Sequence, residues 1–203
     1  MIKKLGFIGV MMFWLVGCAS QPNVYYTLTA PASNEQTKRS ALTSVGLYTI
    51  ASVSVPSPVD DTLIIVRQSG DQLMKLAHDR WTAPLGKQFN NALAVALTHE
   101  LGMPPVSKTQ ASGDKRVTSL SIDVQRFDLV PGQYAELAVV WQVVPASTSN
   151  KAGRLVCYTQ VREMVEPGVA PLVKAQQLNI QKLAQAISRG WQTGQSGPGT
   201  RCQ

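Results

Sequence analysis

Apolar and polar positions change rhythm several times along this chain, and each change marks an element. Behind the basic pair Lys3-Lys4, residues 5–17 form an unbroken apolar run of thirteen. That is short of the roughly 20 residues needed to span a bilayer and fits the apolar core of a secretory signal peptide. From Gln21 to Thr43 the chain is polar, rich in Ser, Thr, Asn and Gln, with too little apolar area to order itself. Within it only Val24-Tyr25-Tyr26-Thr27-Leu28 is β-prone, and predicts a short edge strand. A long β-branched stretch over Val45–Val55 ends at Pro56-Ser57-Pro58, whose rings cannot continue a ladder. Leu63–Arg67 and Gln72–Leu76 read as a hairpin across the Ser69-Gly70-Asp71 turn.

The period then lengthens. Leu85, Phe89, Leu93, Leu97 and Leu101 recur every fourth residue and predict an amphipathic helix. Thr82 is its expected cap and Pro84 suits its first turn, while Gly102 and Pro104-Pro105 stop it. Residues 106–116 are a polar loop. Leu120, Ile122 and Val124 alternate as a strand, but the apolar parity moves to Phe127 and Leu129, which predicts a bulge at Gln125-Arg126. The turn Pro131-Gly132-Gln133 leads to Leu137–Val144, apolar on both faces and so a central strand. Arg154–Val161 is the third strand of this meander. Val173, Ile180, Leu183, Ile187 and Trp191 then line one face of a second helix, expected over Leu172–Gly190.

These elements sum to an α+β fold, a twisted and mostly antiparallel sheet of five or six strands with two long helices on one face. The domain plan is a signal peptide over 1–17, a lipidated amino terminus and polar tether over 18–43, one α+β domain over 44–191, and a Gly-rich tail over 192–203. The tail is expected to be flexible unless Cys202 is bonded.

Charge and candidate chemistry narrow the picture. The formal charge of +7 falls to +5 once Lys3 and Lys4 leave with the signal, and the remaining basic residues are scattered. Nucleic acid is therefore not an expected partner, because its footprint needs a basic stripe with aromatics interleaved. His99-Glu100 begins like a zinc-protease helix, but Met103 stands where the second histidine would be. There is no Gly-x-Ser-x-Gly elbow, phosphate loop or dinucleotide fingerprint, so no catalytic residue, metal or cofactor is predicted. Asp60-Asp61 reads as a solvated turn rather than a pair for acid–base work.

Leu15-Val16-Gly17-Cys18 resembles a bacterial lipobox. The resemblance implies that the Cys18 thiol is acylated and that Cys18 becomes the first mature residue, held firmly by several buried acyl chains. Ala19 stands where an aspartate would favour inner-membrane retention, so the implied location is the outer membrane, facing the periplasm. In that oxidising compartment the remaining pair, Cys157 and Cys202, is expected to form a disulfide worth about 4 kcal/mol in the chain-entropy model, the alternative being two free thiols.

The order of features resembles the ABC-transport auxiliary lipoprotein family (PqiC/YmbA-like): the lipobox, Tyr25-Tyr26-Thr27-Leu28, Val53–Pro56, Val66, Trp81-Thr82-Ala83-Pro84-Leu85, a strand ending in Phe127, a strand carrying Trp141, and a last helix with Trp191. The resemblance implies an outer-membrane docking subunit, not an enzyme, working with a mammalian-cell-entry (MCE) domain tunnel protein in lipid transport and envelope integrity. It also leaves room for a homo-oligomeric ring. Tyr25, Tyr26, Trp81, Pro84 and Leu85 are its motif positions, open to reading as partner contacts or as core. The Gly-rich tail with Cys202, and Cys157, depart from the pattern. An envelope scaffold lipoprotein and a periplasmic hydrolase with a dispersed site are the competing readings.

Overall fold

A computed structural model describes residues 21–29, 46–111, 117–146, 153–194 and 196–203; Cys18 and the expected signal peptide lie outside the described residues. The elements are β1 (Val24–Tyr26), β2 (Tyr48–Ser54), β3 (Leu63–Arg67), β4 (Leu73–Trp81), α1 (Leu85–Leu101), the short α2 (Lys108–Ala111), β5 (Thr118–Val130), β6 (Tyr134–Val144), β7 (Leu155–Met164), α3 (Val169–Thr193) and β8 (Thr200–Cys202). The α+β class and the two long helices are as the patterning predicts. The strands differ in number and grouping: among the described residues there are eight rather than five or six, and they divide into two sheets, ordered β1-β4-β3 and β2-β5-β6-β7-β8.

The meander β5-β6-β7 is antiparallel throughout, and its register shifts between Val124 and Arg126, where the parity of apolar residues changes. That shift keeps Ile122, Val124, Phe127 and Leu129 on the dry face despite the extra residue. β2 joins the edge of this sheet parallel to β5, and β1 joins β4 in parallel. Parallel pairing is open to both because long connections separate the partners.

The dry face of the larger sheet is covered by α3, which α1 flanks. Trp141 in β6 lies opposite Ile122 and Cys157 and is fully buried. Its ring packs directly under α3 at Gly190, where a Cβ would sit 2.7 Å from the indole Cη2. Trp141 Nε1 donates to Thr159 Oγ1 at 2.9 Å, and that hydroxyl also bonds Thr200 Oγ1 at 2.9 Å. Two buried amides pin the amino-terminal half of α3 to the strands. Gln176 Nε2 donates to the carbonyls of Asp128 (3.1 Å) and Glu136 (3.0 Å), and Asn179 Nδ2 donates to that of Ala135 (3.1 Å). A bonded amide carries a polar group through an apolar interface without leaving the strand carbonyls unpaired.

Two local details depart from the sequence reading, and a third is the tie on the tail that it expects. Thr82 does not cap α1; Pro84 occupies the cap position without a side-chain bond, and the Asp60 carboxylate accepts from Gly86 N–H at 2.9 Å instead. Asp60-Asp61 is thus a cap delivered from another loop, where a negative charge meets the helix N-terminus. Beside it, the hydrogen bond from Lys75 Nζ (2.6 Å), with Leu63 N–H, lowers the Asp61 carboxyl to about 2. Second, α3 begins at Val169 and runs to Thr193, beyond the expected Leu172–Gly190, because its carboxyl end is closed by left-handed Gly194. Third, the tail is not wholly loose. Cys157 and Cys202 are joined by a disulfide, with Cα atoms 4.0 Å apart, and Thr200–Cys202 pairs with β7 as β8.

Two outcomes follow. Gly190→Ala is expected to lower stability by about 1–3 kcal/mol, the range for overpacking a filled core, and a denaturant melt monitored by tryptophan fluorescence checks it. Tyr48 is buried at the α1–α3 end of the sheet, its ring 5.4 Å edge-on from Trp191 and its hydroxyl donating to Met103 O at 3.1 Å. Burial pushes that hydroxyl up to about 12 from 10.0. The folded state therefore holds a proton that the unfolded chain loses first. Stability should be intact below pH 10, fall between about pH 10 and 12, and fall less steeply in Tyr48→Phe, as alkaline melts would record.

Candidate docking surface

β1 stands at the edge of the smaller sheet, paired with β4 in the register Tyr25↔Arg80 and Tyr26↔Trp81. Strand alternation sends the two tyrosines to opposite sides. Tyr25 is 61% exposed, whereas Tyr26 is half-buried, with burial and then the Asp79 carboxylate raising its hydroxyl pKa. Just beyond β1, Leu28 is buried, and Gln88 of α1 fixes it. Gln88 Oε1 accepts from Leu28 N–H and from Thr27 Oγ1 (3.1 Å each), and its Nε2 donates to Thr82 Oγ1. Across the same joint, Gln177 Nε2 of α3 donates to Thr27 O at 2.9 Å. The segment before the domain is thereby sewn to both long helices.

The motif residues thus separate. Trp81 is 2% exposed and meets Phe127 edge to face, with centroids 6.4 Å apart, and Leu85 is buried. Pro84 is exposed at the head of α1. Trp81 therefore holds the small sheet against the large one and Leu85 lies in the core, while Tyr25 and Tyr26 reach the surface.

Beside Tyr26 lies an open groove of about 660 Å³ between the end of β7 and the first turns of α3. Its apolar lining includes Met164, Val165, Pro171, Val173 and Leu178, and Glu163, Glu166 and Lys174 supply charge. Met164 is 77% exposed and Leu178 40%. A flexible thioether in such a position suits a surface that moulds itself to an apolar partner. The sequence hid this groove because Met164 and Leu178 fall outside any apolar stripe.

The face of the larger sheet opposite α3 has a different character. Asp128 and Glu136 are cross-strand neighbours, 3% and 1% exposed, beneath three arginines. Arg67 Nη2 reaches Asp128 at 2.8 Å, Arg126 Nη1 reaches its other oxygen at 3.3 Å, and Arg162 Nε donates to Glu136 Oε2 at 2.8 Å. Two like charges side by side on a sheet are unfavourable unless cations intervene. The hydrogen bond to Asp128 raises the pKa of Arg67, and that to Glu136 raises the pKa of Arg162. Arg162 also lies 4.0 Å over the Tyr134 ring. Among the described residues no group of three or more His, Cys, Asp or Glu side chains could hold a metal ion. No helix among them is long and apolar enough to cross a membrane.

A model of the family described as the ABC-type transport auxiliary lipoprotein component matches residues 26–188. The chain belongs to this family. The match runs from the second motif tyrosine to the last turns of α3, so β8 and Cys202 fall outside it. Two solved structures have a similar fold. One is an uncharacterised protein 17% identical, with a TM-score of 0.66 over 83% of this chain and 98% of the other. The second is a Xanthomonas campestris protein assigned to family DUF330, 16% identical, with a TM-score of 0.61 over 84% of this chain and 96% of the other. At that identity they speak to fold alone. No curated protein matches. As a transport auxiliary, this lipoprotein is tied by its family to an ABC transport system and, as a lipoprotein, to a membrane.

The split between core and surface motif residues can be measured. Trp81→Ala is expected to cost about 3–5 kcal/mol of stability, as removal of a large buried side chain does, whereas Tyr25→Ala should leave the melting temperature within error.

Proposed function

We propose that this auxiliary lipoprotein, acylated at Cys18, hangs from the outer membrane into the periplasm and serves as the docking subunit of an MCE-type intermembrane lipid transport system. The observation that carries the reading is the family match over nearly the whole folded domain. The groove between β7 and α3, beside Tyr26, supplies a surface for it. Its occupant is an apolar segment of the MCE-domain tunnel protein. The charged side chains Glu163, Glu166 and Lys174 around that apolar lining set the approach, as a polar rim does around an interface core. The chemistry is binding and positioning rather than catalysis. Nucleotide hydrolysis belongs to a separate cytoplasmic component, and envelope integrity is the outcome that the assembly supports.

A crosslinked pulldown from detergent-solubilised membranes tests this. Wild-type protein is expected to recover an MCE-domain protein, Cys18→Ala to recover much less, and Met164→Glu with Leu178→Glu to lose the partner while staying in the outer-membrane fraction. Clean outer-membrane fractionation with no MCE protein would overturn the docking role and favour an envelope scaffold. Undiminished recovery by the Met164→Glu, Leu178→Glu form would move the contact off the groove.

A further inference from the structure

β8 brings another arginine onto the sheet face opposite α3, and a cavity forms where it arrives. Tyr158, Gln160 and Arg162 alternate along β7 and so share that face. The antiparallel register Tyr158↔Arg201 puts Arg201 on the same side. These four residues, with Gly199 and Thr200, line an open cavity of about 440 Å³. Gly199 is required there. Its φ is +70°, and a Cβ would come within 2.5 Å of Gln160 O, the residue whose N–H donates to Gly199 O at 2.9 Å.

The polar groups of the cavity are unevenly spent. Tyr158 Oη donates to Gln160 Oε1 (3.3 Å), and Gln160 Nε2 donates to Glu136 Oε1 (2.7 Å). Arg162 directs Nε and Nη2 to Glu136 Oε2, and its outer guanidinium edge at Nη1 has no hydrogen-bond partner among the described residues. The Arg201 backbone pairs with Tyr158 in the ladder, but its exposed side chain makes no hydrogen bond or ion pair among the described residues. The acceptors are engaged and the free groups are cationic donors. In the ion-paired network three guanidiniums stand over two carboxylates, so one positive charge is already in surplus before Arg201 is added.

We propose that the β7–β8 cavity binds a phosphate group, gripped between the free guanidinium edges of Arg162 and Arg201. Planar forks with several N–H donors match phosphate oxygens in pairs, which a single ammonium cannot do. The disulfide assembles the site. β8 is only three residues long, and the Cys157–Cys202 bond holds it on β7 with Arg201 one residue from the crosslink. Phosphate affinity is therefore coupled to the redox state of that bond. The cavity shares no lining residue with the docking groove, which begins at Glu163, one residue beyond Arg162, and extends onto α3.

The phosphate could come free from solution or on a lipid headgroup, and two titrations separate these sources. Full-length oxidised protein in neutral detergent micelles would be titrated calorimetrically with inorganic phosphate and, separately, with phosphatidylglycerol in the same detergent. Saturable binding of inorganic phosphate assigns free phosphate. Binding of phosphatidylglycerol alone assigns the headgroup. In either case Arg201→Ala should weaken binding about tenfold, the usual effect of losing a charge-assisted hydrogen-bonded pair. The Cys157→Ser, Cys202→Ser double variant should weaken it similarly, and Lys87→Ala on α1 should leave it unchanged. Far-UV dichroism confirms that each variant is folded. Failure of both probes to bind, or undiminished affinity in Arg201→Ala, overturns the proposal.

Discussion

The domain is assembled around one close approach, α3 settling onto the Trp141 indole at a position where only glycine leaves room. From that contact constraint spreads in both directions along the sheet. On one side Trp141 faces Ile122 across β5; on the other it faces Cys157 across β7. Its single polar atom is paired with Thr159, which passes the bond on to Thr200 of the last strand. A large ring with two torsions and one donor fixes a register economically, because sliding any strand by a residue would send the wrong side chain to meet it and strand the N–H in an apolar space. The helix, the meander and the carboxyl-terminal strand therefore share one registration point.

The polar residues of the interior are consistent with this. Gln88, Gln176 and Asn179 each cross a packed boundary, and each finds backbone groups on the far side. They act as keyed joints, since a shift of the helix by one turn would leave the amide and its carbonyl both unpaired. Hydrophobic area presses the layers together without specifying their offset. These amides specify it. The acidic pair Asp128–Glu136 under its arginines does the same for the opposite face, and gives the wet side of the sheet a fixed positive relief rather than a mobile cloud of side chains.

Much of this was legible in the sequence, and the physical reasons for success and failure differ. The leucine stripe of α1, the β3–β4 hairpin and the bulge after Val124 are local patterns, written in residues near one another. The division into two sheets was not legible. It depends on Trp81 meeting Phe127 and on Leu28 reaching Gln88, contacts between segments far apart in the chain. The β-prone run at Val24–Leu28 announces β1 as an edge strand, but the three residues of β8 have too little periodicity to announce themselves, and the partner that each strand takes is set by neighbours rather than by propensity. The cap on α1 was missed for a similar reason. A capping residue is sought just before its helix, whereas Asp60 comes from the loop after β2. Met164 and Leu178 lie outside the stripes because they face outward, so a search for core periodicity passes over the residues most available to a partner.

The parallel pairing of β2 with β5 carries a consequence for the order in which the molecule comes into being. Tyr48 can find its partner Thr118 only after the hairpin and all of α1 have been made, and β1 must likewise wait for the end of β4. The meander β5-β6-β7, by contrast, closes on itself through short turns. Contacts of long sequence separation form late, because loop-closure entropy is spent before they reward it. As the chain emerges, its first strand is thus among the last to be seated, and the uncharged β-prone run of β2 stays unpaired meanwhile. A chain with that history benefits from a holding chaperone as it emerges, and its vulnerable interval ends when β5 arrives.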